Sequence, residues 1–469
     1  MLDYQTVEIP GYKPIDLVGF HVLQQLNPWL YAGIGGHAPL LRGEYGGFMM
    51  FDATLHARQR ISGNLFAQAG VSLGGGGGGR STEQSKVLSG AGGLLKTYAG
   101  IGYDFNGFSA GVNYSRLRLS ESLIHNSQFD FYVQTPFSYR ASPYSSAGSA
   151  FRSARAAEPS ETRADIIDVG FDNIRQIHPQ GTVTSSINLV EMQYSHFISD
   201  HTYVLLDGDL GYRGLPFYNQ IFTGLGYQYA VSPRINVRGQ LAIGSGGYDP
   251  EKINTGSGLL IYPRMFLEYM VSPRVGIALT GGYLRAPNGS SKNATFGALL
   301  SFHDTDKQGA GGSEEAGLLS GYRFNLFRQW QSDLRAGGKT QGSLTLLTLQ
   351  VDKVLSRSFY IPIQASVATS GYFGYPGYGE ILAGLGVQSA YDKGDSLQFF
   401  SQLSVGSNVR GAIANLAAGV DWGLSERFAI RAQVGSTLAK SSTASYPNPR
   451  FRAAPVVGLG LSYRFALGG

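Results

Sequence analysis

Alternation of apolar and polar residues, kept up over segments of membrane-crossing length, limits this chain more than any other feature. Between Tyr45 and Ser62, Met49, Phe51, Ala53, Leu55, Ala57 and Ile61 share one face, with Met50, Asp52, Thr54, His56, Arg58 and Arg60 opposite. From Leu259 to Val271, Leu259, Ile261, Met265, Leu267, Tyr269 and Val271 oppose Tyr262, Arg264 and Glu268. From Ile235 to Ile243, Ile235, Val237, Leu241 and Ile243 oppose Arg238 and Gln240. A period of two is the strand period. Roughly 23 such segments of about 9–14 residues recur along the chain, and a tilted strand needs about 9–11 to cross a bilayer. Strands of soluble proteins centre on about 5–6.

Turn lengths alternate as well. Ser62-Gly63-Asn64, Val231-Ser232-Pro233-Arg234, Val271-Ser272-Pro273-Arg274 and Leu424-Ser425-Glu426-Arg427 are short, while 73–92, 244–257, 286–293 and 438–451 are long, Gly-rich or polar. Short turns at one rim and long loops at the other suit a transmembrane barrel, with the short rim periplasmic. The last strand, Gly460-Leu461-Ser462-Tyr463-Arg464-Phe465, resembles the C-terminal assembly signal of Gram-negative outer-membrane β-barrels in its Gly460, Tyr463 and Phe465. That resemblance identifies the class and no specific family. It implies an all-β, antiparallel up-and-down barrel in the bacterial outer membrane, touching outer-membrane lipid and lipopolysaccharide.

Composition agrees. The chain has 66 Gly, 28 Tyr and 26 Phe among 469 residues, and only 15% are charged. Many strands, tight turns and aromatic belts use such residues. The absence of Cys excludes disulfides, thiolate metal sites and Cys nucleophiles. No apolar run approaches the roughly 18 residues of a transmembrane helix. A net charge of +5, with basic residues scattered singly, gives no case for nucleic acid. Met1-Leu2-Asp3 shows no signal peptide, so the chain reads as a mature or trimmed form.

An internal repeat sets the architecture. Leu17, Leu189 and Leu346 each precede an apolar step that looks like a shared β-bulge, Tyr31, Tyr203 and Tyr360 each open the next strand, and Gln68, Gln240 and Gln402 follow two strands later. The offsets from the first copy to the second are 189 − 17, 203 − 31 and 240 − 68, all 172; from the second to the third they are 157, 157 and 162. The copies span 1–141, 162–303 and 315–466, joined by 142–161 and 304–314. Eight strands per copy predict one barrel of 22–24 strands, with 24 reached if Leu2 to Glu8 pairs.

Candidate sites are few. Gly74 to Gly79 with Arg80 and Ser81 lacks the Lys and the helix of a phosphate loop. The eight His residues show no HExxH or i, i+2 spacing, and no Ser pairs with a His by spacing, so neither a metal, a cofactor nor a catalytic residue is expected. Asp52, His56, Arg58, Arg60, Gln68, Arg238, Gln240, Arg264, Glu268, Gln402, Arg431 and Gln433 are expected to line the lumen, as a solvated wall or as a surface selective for an anionic or hydroxyl-rich solute. Arg264 and Glu268 lie four apart, about 13 Å along a strand, too far to pair directly. Leu267→Arg should impair assembly, whereas Arg238→Leu should not. A lumen of 22–24 strands would leak, which predicts a wide conduit for a large substrate, closed by a plug or a periplasmic or surface partner protein. A diffusion porin is the alternative, and a structural or surface barrel without transport comes after it. Phe151, Arg152 and Arg155, at the first junction, form a possible gating segment.

Overall fold

The computed structural model describes residues 1–79, 86, 88–136, 142–147, 150–151, 165–183, 186–304, 317–391, 397–440 and 450–468. Three closed barrels follow one another along the chain. The first has strands β1 Leu2–Val7, β2 Ile15–Gln25, β3 Leu30–Pro39, β4 Met49–Ser62, β5 Leu65–Gly77, β6 Gly93–Asp104, β7 Ser109–Leu119 and β8 His125–Gln134. Pairing of Leu2 with Val133 through Gln5 with Asp130 closes it. The second runs from the strand Asp165–Gln176 to the strand Lys292–Asp304, which pair with each other over their whole length. The third runs from Gly317–Ala336 to Arg450–Gly468, joined from Leu319 with Gly468 to Ala336 with Phe451.

The eight-stranded units and the opening strand at Leu2 stand as the sequence predicted, giving 24 barrel strands among the described residues. The single 24-stranded wall with one lumen is corrected, because each unit closes on itself. A common wall would require β8 to pair with Asp165–Gln176; β8 finds β1 instead. Eight strands are enough to close around an interior that side chains can fill. Once every edge strand has a partner within its own copy, nothing is left to join one copy to the next.

Two repeat anchors also change. Leu17, Leu189 and Leu346 are buried, and beyond Leu189 the inward positions continue as Glu191, Gln193 and Ser195 without a switch of face. Of the three sites only the second has a register shift, at Asn188/Leu189. What changes along the strand is the chemistry of the inner face: apolar under the loops, polar further down. Register also aligns Gly70, not Gln68, with Gln240 and Gln402, since these three occupy the row opened by Tyr31, Tyr203 and Tyr360. The spacing match at 172 was two residues out of phase there.

The outer faces are apolar. Leu267, Leu279, Phe296 and Leu385 are 54%, 61%, 62% and 67% exposed, a pattern that only lipid contact accommodates. Trp29, Phe105, Phe108, Tyr229, Phe359 and Trp422 stand exposed near the short-turn rim, where an interfacial aromatic belt sits.

At the loop rim the barrels touch in a ring. Ser245 Oγ of the second barrel donates to Pro39 O of the first at 2.6 Å, and Ser407 Oγ of the third donates to Gly211 O of the second at 3.2 Å. Gly75 of the first barrel occupies the same register position as these serines and lies against Ala368 O of the third, where a Cβ would collide. Pro39, Gly211 and Ala368 are themselves equivalent, each paired with one of the leucine anchors. The three seams are thus one head-to-tail contact used three times, which closes as a threefold ring. Gly46 N to Gly256 O (2.9 Å) and Gly79 N to Tyr248 O (3.2 Å) reinforce the first seam.

Leu267→Arg places a charge on the lipid face and is expected to cost about 2–4 kcal/mol near the bilayer midplane. Unfolding in denaturant, followed by the loss of heat-modifiable gel mobility, measures it; an unchanged midpoint would refute the facing.

Candidate functional site

The inward positions build a polar layer inside each barrel. In the second barrel Arg238 grips Asp168 with two hydrogen bonds (2.7 and 2.8 Å), and Ser301 Oγ also donates to Asp168 at 2.5 Å. Arg264 grips Glu191 in the same forked way, at 2.5 and 2.6 Å, and donates to Thr280 at 2.9 Å. Glu268 is held by His303 (2.6 Å) and Asn236 (3.1 Å). Arg264 and Glu268 do not pair, as strand spacing required; Glu268 lies 4.0 Å from Arg238, and Arg264 is taken by Glu191.

The third barrel carries a square of two cations and two anions. Arg323 pairs with Asp352 and Arg431 with Asp421, both at 2.9 Å, and the other two sides, Arg323 to Asp421 and Arg431 to Asp352, are 3.5 and 3.4 Å. The guanidinium carbons stand 4.4 Å from the Tyr360 ring centre and 4.1 Å from that of Phe400, adding cation–π contact. A shared device lies beside these pairs. Gln193 with Gln240, and Gln350 with Gln402, exchange amide hydrogen bonds of 2.8–3.1 Å, and Tyr203 and Tyr360 donate to the second glutamine of each pair. Glycine on the neighbouring strand, Gly226 or Gly386, makes room for each tyrosine ring, since a Cβ there would strike it.

In the first barrel Lys96 lies between Asp3 (2.6 Å) and Asp130 (3.0 Å), Gln68 donates to Asn113 at 2.8 Å, and His56 shares a hydrogen bond of 2.8 Å with Tyr98. Arg58 pairs with Asp104 near the turn rim and stacks 3.7 Å over Phe66.

The predicted lumen set points inward, and Asp52, His56, Gln68, Arg238, Gln240, Arg264, Glu268, Gln402, Arg431 and Gln433 are buried. Arg58 is partly exposed and Arg60 is exposed at the turn rim. The residues form three separate constellations rather than the wall of one lumen. The partners Asp168, Glu191, Asp352 and Asp421, the square's second cation Arg323, and the first barrel's own set Asp3, Lys96 and Asp130 are absent from the sequence reading. Continuous inward parity from Leu189 would have found Glu191; the supposed face switch concealed it.

Each lumen is also capped under the loops by an apolar cluster: Leu17, Phe48 and Leu117 in the first, Leu189, Tyr218 and Leu260 in the second, Leu346, Tyr378 and Phe451 in the third. Part of the first junction closes the turn rim of the third barrel. Ser142 bridges Ala466, and the buried Tyr144 packs with Val354, Tyr360 and Phe400, its ring 5.5 Å from the Arg464 guanidinium. The backbone of Phe151 pairs with Gly317, whereas Arg152 and Arg155 lie outside the described residues. In the last strand Phe465 stacks on Phe324 and Tyr322 beside Tyr463, and Gly460 fits where a Cβ would strike Phe327.

The chain matches no known family profile and no curated relative. Among solved structures it is similar to the Yersinia pestis outer-membrane protein Ail, at 13% identity over 30% of this chain and 99% of that one, with a TM-score of 0.23. It is similar to the NanC porin at 8% identity over 64% and 98%, TM-score 0.17. The ferric enterobactin receptor of Pseudomonas aeruginosa gives 9% identity over 99% and 81%, TM-score 0.30. Likenesses this faint have no bearing on what the chain does.

The expectation that Arg238→Leu is harmless is revised. That change strands Asp168 in a buried site, and breaking a buried pair from one side costs about 3–5 kcal/mol. Arg238→Leu should therefore lower the denaturant midpoint, and Arg238→Leu with Asp168→Leu should recover most of the loss. Additive losses in the double variant would show that the two groups are not coupled.

Proposed function

We propose that this chain is an integral outer-membrane protein that acts as a rigid three-barrel scaffold, holding a fused loop platform at the cell surface. The observation that carries this reading is the filling of each barrel by its own side chains. Arg238, Arg264, Arg323 and Arg431 are at most 2% exposed, so water scarcely reaches the middle layers, and apolar clusters sit above them. A wide conduit would need a common lumen. The plug was expected because a lumen of 22–24 strands would leak, and three self-filled barrels remove that ground. A surface partner docking on the loop platform remains part of this reading. Apolar outer faces would meet lipid and lipopolysaccharide. No catalytic role is proposed.

A second reading, a narrow gated channel, is favoured by one observation: the four-membered square of Arg323, Asp352, Asp421 and Arg431, which would open a polar path if Arg431 swung aside. Planar-bilayer recording of the purified chain separates the two. The scaffold predicts no steady current, and none after Arg431→Ala with Asp421→Ala, since the apolar cluster above still seals the barrel. A stable current in the unmodified protein would overturn the scaffold, and one appearing only in the double variant would favour the gated channel.

A further inference from the structure

The first barrel departs from the other two in one layer. By strand register His21 stands where Gln193 and Gln350 stand, and Gly70 stands where Gln240 and Gln402 stand. The exchanged amide pair is replaced by imidazoles and carboxylates. Asp3, His21, His37 and Asp52 come one from each of the adjacent strands β1 to β4, and all are at most 3% exposed. Asp3, Gly19 and His37 form one cross-strand row; His21, Gly35 and Asp52 form another. The glycine in each row leaves the room in which the four side chains converge. A Cβ on Gly19 would strike the Asp3 carboxylate, and one on Gly35 would strike the His21 ring.

The converging atoms are left without ordinary partners. One donor atom each from Asp3, His21 and His37 lies within 4.8 Å of the others. His21 Nε2 is 3.3 Å from Asp52 Oδ1, His37 Nδ1 is 3.4 Å from Asp52 Oδ2, and His37 Nε2 is 3.7 Å from Asp3 Oδ1. None of the four ring nitrogens makes a hydrogen bond, and neither does Asp3 Oδ1 or Asp52 Oδ2. Buried polar atoms are nearly always satisfied, so this concentration in one layer calls for an account. Each carboxylate spends its other oxygen on an orienting donor: Lys96 Nζ to Asp3 Oδ2 and Thr54 Oγ1 to Asp52 Oδ1, both at 2.6 Å. Metal ligands are commonly held by such outer contacts.

We propose that this layer is a divalent-metal site, with His21, His37 and Asp3 as ligands and Asp52 beside them as the ionic neighbour of both imidazoles. Two imidazoles with a carboxylate suit Zn²⁺ or a neighbouring transition ion and not Ca²⁺ or Mg²⁺, which prefer all-oxygen shells. Donors bound tetrahedrally at about 2.0–2.1 Å lie about 3.3–3.4 Å apart, a small inward movement from the 3.7 Å between His37 Nε2 and Asp3 Oδ1 and from the 4.8 Å limit within which the three donors already lie. Charge agrees: one ammonium, Lys96, serves Asp3 and Asp130, Asp52 meets only the two imidazoles, and a divalent cation balances the remaining negative charge. Spacing along the sequence could not reveal the site, because no two ligands share a strand.

The test uses the full chain folded in detergent, stripped with a chelator, loaded with Zn²⁺, desalted and analysed by plasma mass spectrometry. The expected content is about one Zn²⁺ per chain, falling at least about tenfold in His21→Gln with His37→Gln and unchanged in Asp207→Asn, which alters a buried carboxylate on the strand Thr202–Arg213 of the second barrel. Should the double variant fail to fold, Cu²⁺ loaded into the unmodified protein must show nitrogen coupling from two imidazoles in its paramagnetic resonance spectrum. Folded protein without stoichiometric metal, full metal content in a folded double variant, or a Cu²⁺ spectrum without imidazole nitrogen would each overturn the proposal. The histidines would then be structural neighbours of Asp3 and Asp52 only.

Discussion

Closure is the constraint on which the rest of this structure depends. A strand edge left open in hydrocarbon would expose a row of unpaired N–H and C=O groups, each costing several kcal/mol. Every barrel strand of this chain therefore needs two partners. The chain meets that need locally, three times, within each copy of its repeat. Self-closure fixes the lumen diameter, and the diameter decides that side chains rather than water occupy the interior.

Once the interior is dry, its polarity has to be satisfied internally. The lipid-facing side takes the apolar residues, so charged and amide groups are driven inward. There they survive only as matched sets: Arg238 with Asp168, Arg264 with Glu191, and the square around Arg323 and Arg431. Such pairs add little net stability over an apolar filling, but removing one member is costly, so each set tolerates change poorly one residue at a time. The first barrel resolved the same layer differently, with imidazoles and carboxylates in place of the amide pair.

Three barrels in one chain also need a reason to stay together beyond their linkers. The loop-rim ring supplies it with small residues. Gly75, Ser245 and Ser407 sit at one structural position, and each meets a backbone carbonyl of the next barrel. Close approach of backbones is how membrane-embedded elements associate when lipid removes the hydrophobic drive between them. The ring arises because a duplicated module carries both halves of a head-to-tail contact, so three copies can satisfy each other.

Periodicity, turn lengths and offsets determined the strands, their inward and outward faces away from the leucine anchors, and the eight-strand module, and they offered Leu2 to Glu8 as the strand that would complete the first copy. These are local properties, carried by side-chain alternation within one strand or by spacing between copies. Tertiary structure alone decided whether eight or 24 strands close, because β8 could pair with β1 or with Asp165–Gln176 at the same local cost. It also decided which lumen residues meet. Asp168 and Arg238 are 70 residues apart, and the four groups around His21 and His37 lie on four strands. Cross-strand register brings them together, and register is set by the whole closed sheet rather than by any segment of it.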